Sequence, residues 1–257
     1  LNAAESPWAF RTLSQDSWYR WRLDGAEVFL KNVGSSWYWA TRPKHPEGLR
    51  QDFGGPEVVE APYDLEIHHV LASCQPVALR PFALSRPFVV RATRAISVLA
   101  GEQAEFLVDL PVSVHWMTSA GVVLAHPNTI ELHKTWFGDT SAGRLCFLWP
   151  TTLEAPPNQP YGSMFRCHIQ VRNEGKSPLV LRQFPIYCEY LSLWEEGGSL
   201  RSDLVVVESL GDQSLRMTTE PYKGSDQGLL LYEAAVTQSE VLFQRGVDFL
   251  RNIAGIS

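Results

Sequence analysis

The sequence predicts an all-β protein: an antiparallel β-sandwich, immunoglobulin-like or jelly-roll-like, with one C-terminal α-helix. Three observations carry that reading. Short apolar runs alternate at period two, as in Phe165, Cys167, Ile169 and Val171, which sends every second side chain to the same sheet face. The seventeen prolines and eighteen glycines are spread along the chain, so turn signals recur at the short intervals of a sandwich. Only the end changes period. Thr237-Gln238-Ser239-Glu240 has capping-box spacing, and Phe243, Val247, Leu250 and Ala254 follow at helical intervals, predicting a helix over 238–254.

Each element follows from local chemistry. Residues 1–17 read as a lead-in. Trp18–Leu23 and Ala26–Lys31 form a hairpin across Asp24-Gly25, a strong two-residue turn signal. Trp37–Thr41 is a third strand; its alternation sends two indoles to one face and Tyr38 to the other. Arg42–Pro56 is turn-rich and reads as a loop. Leu65, Ile67, His69 and Leu71 alternate with Glu66, His68 and Val70. Pro76, Pro81 and Pro87 divide the next region, leaving Phe88–Arg91 and Ala95–Leu99 as separate strands. Ala104–Leu110, Val112–Met117 and Val122–Ala125 follow, and His126-Pro127-Asn128 turns the chain.

The second half repeats the style. Met164–Arg172, Leu179–Phe184, Ile186–Trp194, Leu204–Glu208, Ser214–Thr218 and Gly228–Ala234 read as extended. The expected organisation is one β-rich domain over 1–257, with a body at 17–236 and a helix at 237–257. The stiff connector Ala155–Pro160 allows a two-lobed split near 155–160 as the alternative. The wide apolar stripe of the helix would pack on the β body, or join two copies in a homodimer.

Composition bounds the function. The 257 residues carry a net charge of −6, which lacks the basic footprint of a nucleic-acid binder. No run of eighteen apolar residues occurs, so no spanning helix is expected. The N-terminus lacks the charged and apolar regions of a secretion signal. Cys74, Cys146, Cys167 and Cys188 show no CxxC pairing and lie in apolar runs. Free buried thiols suit a reducing cytoplasm.

The most distinctive stretch is Glu131–Thr151. Leu132–Phe137 is a strand with a large indole. Gly138-Asp139 breaks it: glycine tolerates positive φ, and aspartate bonds its own backbone. Residues 140–143 form a small polar loop. Arg144–Trp149 resumes, with Leu145, Phe147 and Trp149 on one face and Arg144, Cys146 and Leu148 on the other. An aromatic platform leading into this corner presents His133, Lys134, Trp136, Gly138, Asp139 and Arg144 as candidate binding residues.

The run Lys134-Thr135-Trp136-Phe137-Gly138-Asp139, then Gly143 and Leu145-Cys146-Phe147, resembles an archaeal and bacterial protein family of unknown function with a Thr-Trp-Phe-Gly signature. Arg144 and Phe147 stand where that pattern has an acid and a tyrosine. The resemblance spans roughly the middle half of the chain and implies no activity.

His115, His126, His133 and Asp139 lie in one β region, and His126, His133 and Asp139 are the candidate metal ligands, but no two histidines share the i, i+2 spacing that puts ligands on one strand face. Cys146 with His133 or His168, oriented by Asp139, imitates a cysteine–histidine pair, yet it lies mid-strand with nothing to lower its pKa. Asp109 and Glu195-Glu196 are the carboxylates in turn-like places, and a solvated turn explains the latter pair. Gly54-Gly55 and Gly197-Gly198 precede no helix, so no phosphate cradle forms. No cofactor is expected. The expected function is a non-catalytic binding or assembly module with a protein or small-molecule partner. The rival is a metal-dependent or hydrolase-like enzyme using His126, His133 and Asp139.

Overall fold

Aromatic strand formers on either side of Asp24-Gly25 build the first sheet. In the computed structural model, which describes residues 6–23, 25–43, 54–130, 132–138, 143–151, 164–209, 214–224, 228–234 and 241–244, β1 (Trp18–Arg22) pairs antiparallel with β2 (Ala26–Val33). The Leu23 N–H donates to the Ala26 carbonyl at 2.8 Å. β3 (Ser36–Pro43), β4 (Gly54–Val59) and β5 (His68–Leu71) complete the order β4-β1-β2-β3-β5. The loop expected through Pro56 therefore ends earlier, because β4 pairs with the free edge of β1. His68 and His69 point to opposite faces, as adjacent strand residues must. One stacks on Trp39 at 4.2 Å and the other on Tyr38 at 4.8 Å. Trp37 is buried and donates its indole N–H to the Ala72 carbonyl.

Three further sheets pack around the same core. β6 (Val77–Phe82), β9 (Ser113–Thr118) and β10 (Val123–Ala125) take the order β10-β9-β6. β6 runs through Pro81 because an edge strand tolerates the missing donor. β7 (Phe88–Val98), β11 (Lys134–Phe137), β12 (Arg144–Thr151) and β14 (Leu179–Ile186) take the order β11-β12-β7-β14. The two strands expected in 88–99 are one strand, and the break between them survives as an irregularity within it: from Ile96 to Arg91 β7 takes five steps while β14 takes two, from Leu181 to Gln183.

The largest sheet centres on β13 (Met164–Asn173), which pairs along its length with β8 (Gln103–Pro111). Its other edge is shared by β16 (Ser199–Ser202) and β17 (Leu204–Ser209). Phe165 faces Leu200 and Ile169 faces Val205, so four steps along β13 meet five along the partner. The extra residue produces a bulge between the two strands. Asp203, which separates them, is buried, and its carboxylate accepts from the Ser192 N–H, the Trp194 indole N–H and the Tyr222 N–H at 2.9–3.1 Å. From there the sheet forks to β15 (Leu193–Glu196) and β19 (Leu229–Tyr232) on one side. On the other it continues to β18 (Ser214–Glu220) and β20 (Val241–Gln244). Strands from both sides of the 155–160 connector thus meet in one sheet; the connector itself lies outside the described residues.

Two expectations need correction. The sheets are not wholly antiparallel: β12 runs parallel to β7, and β13 runs parallel to β16 and β17. No C-terminal α-helix is present among the described residues. Val241–Gln244 is a strand whose Val241 and Leu242 face Met217 and Arg216 of β18. A run as short as Val-Leu-Phe fits either period, and β18 offers it a row of backbone partners that an isolated helix would lack. The apolar stripe that suggested a helix-mediated dimer loses its basis; the rest of 238–254 lies outside the described residues. A turn of 3-10 helix, Cys188–Tyr190, also interrupts the extended reading of 186–194.

The hydrophobic core draws on all four sheets and contains Trp8, Trp21, Trp37 and Trp116, each at most 1% exposed. Trp21 meets Trp116 edge-on at 4.6 Å. An aromatic side chain buries about 150–250 Å², on the order of 4–6 kcal/mol of transfer free energy each before entropy is counted. No helix among the described residues is long and apolar enough to cross a membrane.

Candidate functional site

The site grows from the two faces of the β11–β12 hairpin. Lys134 pairs with Phe147 and Trp136 with Leu145, so these four share one face; Thr135 pairs with Cys146 and Phe137 with Arg144 on the other. Thr135, Phe137 and Cys146 are buried, whereas Lys134 is exposed and Trp136 and Phe147 are half-buried. Gly138 ends β11 with φ 105°, a conformation a side chain would oppose.

Lys134 and Phe147 open onto a groove of about 430 Å³. Phe82 and Leu84 form one side, Ser113 and Val114 enter from β9, and the segment His126–Ile130 with Leu132 supplies the rest. The segment is held from behind by the first hairpin. A Cβ added at Gly25 would lie 2.5 Å from the Thr129 carbonyl, so only glycine lets the two backbones approach this closely. Among the described lining residues the ionisable groups are Lys134 and His126, and none of those residues is a carboxylate.

A second histidine stands behind this wall. His115 follows Ser113 on the same face of β9, and its partner Arg80 follows the same alternation as Phe82. The His115 ring lies 5.0 Å from Phe82 and 5.8 Å from His126. It is 8% exposed and its Nε2 has no hydrogen-bond partner. Burial, aided by His126 and Arg80, pushes its pKa down to about 4, so the ring is neutral at physiological pH.

The remaining sequence candidates separate. His133 is exposed, and its carbonyl accepts the Leu148 N–H at 2.9 Å. Arg144 lies on the opposite face from Lys134, 3.4 Å from Glu189 and with its guanidinium 5.5 Å above the Tyr187 ring. Asp139 lies outside the described residues. The described residues contain no group of three or more His, Cys, Asp or Glu side chains placed to share a metal ion.

The other reactive types are engaged structurally. Burial raises the Cys146 thiol to about 11, against a smaller opposing pull from Arg144, which disfavours the thiolate a nucleophile needs. His168 pairs with Glu105 at 3.1 Å. Asp109 receives both arms of Arg166 at 2.8 and 3.0 Å. Glu195 is buried and accepts the Ser6 hydroxyl at 2.6 Å, while Glu196 accepts the Tyr222 hydroxyl at 2.5 Å. Glu189 is the exception. Burial raises its pKa, and its Oε2 is buried without a partner.

Sequence reasoning found Lys134 and His126 but not what surrounds them. Phe82, Ser113 and His115 sit far from the aromatic stretch in the chain, and only the β6–β9 pairing brings them to it. The available signal was His115, a titratable residue in a strand otherwise built for burial, which the sequence placed in one β region with His126 but not beside a groove. No curated protein and no solved structure matches the chain. A family model does, over residues 7–247. The chain therefore belongs to the family described as Protein of unknown function (DUF432).

Proposed function

We propose that this chain is a non-catalytic binding module whose ligand is a small molecule held in the groove beside Lys134. The observation that carries this reading is the groove itself. Its volume of about 430 Å³ falls in the range of small-molecule sites, and it combines an apolar wall with a few polar groups as such sites do. The absence of an assembled catalytic set among the described residues supports binding over turnover. The Cys146 thiol is raised and Asp109, Glu195 and Glu196 are engaged, while Glu189, the carboxylate left with a free oxygen, lies by Arg144 on the face away from the groove.

The test is a fragment screen by two-dimensional NMR on the labelled chain. Hits are expected to shift the resonances of Leu132, Lys134 and the 126–130 segment, and to be lost in Leu132→Trp, which fills the groove. Hits that cluster elsewhere, or that persist unchanged in Leu132→Trp, would sink the reading. The free thiols at Cys146, Cys167 and Cys188 are buried, which supports a reducing compartment, and we place the protein in the cytoplasm. Fractionation that finds it in an oxidising compartment would refute that placement.

A further inference from the structure

We infer that the groove's ligand is an organic acid: one carboxylate seated between Lys134 and His126, with an aromatic or branched apolar body against Phe82, Leu84 and Phe147. This rests on the groove being the binding site, and adds the chemical class of what it takes.

Charge pairing elsewhere on the molecule frames the argument. The exposed cations of the first sheet are neutralised: Arg20 and Arg22 meet Glu57 at 2.7 and 2.9 Å, and Arg42 meets Asp64 at 2.6 Å. The same holds on the large sheet, where Arg172 and Arg216 converge on Glu208 at 3.3 and 2.6 Å. On the sheet that carries Lys134 the pattern stops: exposed Arg91, Arg94 and Arg182 make no ion pair among the described residues, and of these cations Lys134 is the one that lines the groove. Lys134 makes no ion pair among the described residues, and no described lining residue is acidic. A basic side chain without a counter-ion beside an apolar wall is a seat for an anion from solution. A charge-assisted bond is stronger there than in open water because the neighbouring surface is apolar.

The anion's type follows from the donors. Phosphate sites are built from helix N-termini, backbone nests or bidentate arginines. The described lining offers none of the first and no arginine; it offers one ammonium and one imidazole. Two point donors suit a single carboxylate. The body of the ligand is set by the opposite wall. Phe82 and Phe147 are half-buried rings that line the groove, and the guanidinium of Arg86 lies 5.9 Å over Phe147.

His115 adds a second, independent observation. It is more than nine-tenths buried, shares a strand face with the groove-lining Ser113, and holds an unpartnered Nε2 behind the rings of Phe82 and His126. A buried imidazole nitrogen without a partner is uncommon and calls for one. His115 does not itself line the groove, so a hydroxyl or amino substituent on the acid would reach it only where the exposed His126 ring turns aside.

The experiment titrates the full chain by calorimetry with phenylacetate, isovalerate and indole-3-acetate, each paired with its neutral amide, and with inorganic phosphate. At least one acid is expected to bind about tenfold or more tightly than its amide, the loss expected for one charge-assisted bond. Lys134→Gln, at an exposed position that leaves folding intact, is expected to erase that preference without changing the amide. Equal affinity for acid and amide would overturn the organic-acid class while leaving the groove as the site. Tighter binding of inorganic phosphate than of any acid would overturn the carboxylate assignment. No binding of any acid or amide at millimolar concentration would overturn both the class and the site.

Discussion

The two faces of the β11–β12 hairpin share a backbone and differ in everything else. On one face Thr135, Phe137 and Cys146 are buried, and Arg144 at its edge pairs with Glu189. On the other, Lys134 and Phe147 border a groove and the cation is left without a partner among the described residues. Alternation alone makes the faces distinct; what packs above each decides whether a face becomes core or site. The difference teaches where to look in this fold. Reactive residue types on the closed face, Cys146 above all, are silenced by burial, and the chemistry available to a ligand is on the face with less packing.

The comparison breaks most directly at Phe137 and Phe147, the same side chain on opposite faces. Phe137→Ala is expected to cost about 3–4 kcal/mol, because it leaves a cavity in a closed core. Phe147→Ala, half-buried at the groove, is expected to cost about 1–2 kcal/mol. Urea unfolding of both variants measures the gap, and equal losses would mean that the groove face is as closed as the other.

Gly25→Ala probes the groove from behind. The added methyl meets the Thr129 carbonyl, and the expected loss is about 1–3 kcal/mol, with resonance shifts concentrated in residues 126–130. A neutral substitution there would show that the segment is not braced by the first hairpin.

Acid and base should act on opposite faces. His115 has its pKa lowered from 6.5 to about 4 by burial, then by His126 and Arg80. Between those values the unfolded chain binds the extra proton, so stability falls as pH drops through this window. His115→Phe is expected to flatten that limb of the unfolding midpoint. Cys146 is raised from 9.0 to about 11 by burial. Above pH 9 the unfolded chain loses its proton first, so stability falls as pH rises toward 11, and Cys146→Ala should weaken that decline. At pH 8 an alkylating reagent should modify exposed Cys74 and spare Cys146.

Arg144→Ala sits at the bottom of the scale. Its side chain is 57% exposed, and exposed ion pairs contribute about 0–1 kcal/mol. A larger loss by urea unfolding would show that Arg144 screens the half-buried Glu189 more strongly than its exposure suggests.

Much of the strand order was legible because period-two alternation is a local property. Trp18–Leu23, Ala104–Leu110 and Met164–Arg172 coincide with β1, β8 and β13 to within two residues. The Gly138 corner was legible too, since its positive φ follows from glycine chemistry. The end of the chain was misread for the same local reason: Val241–Gln244 carries an apolar pattern short enough to suit helix or strand, and the free edge of β18 decided it. Cys146 was read as inert from its mid-strand place, which agrees with its raised thiol. The candidate site was half-legible. Lys134 and His126 were named, and His115 was noted with His126 in one β region, while Phe82 and Ser113 were not, because strand pairing and not proximity in the chain gathers them.

By itself the sequence determined an all-β chain, its turns, its aromatic core and the alternation that divides each strand into two faces. These depend on steric preferences and solvent transfer that act within a few residues. Tertiary structure alone decided which strands run parallel, where Asp203 forks the large sheet, that Val241–Gln244 joins an edge, and that a lysine and two histidines from three separate segments meet beside one groove. Those outcomes depend on backbone hydrogen bonds and packing between residues far apart in the chain, where no local pattern records the partner.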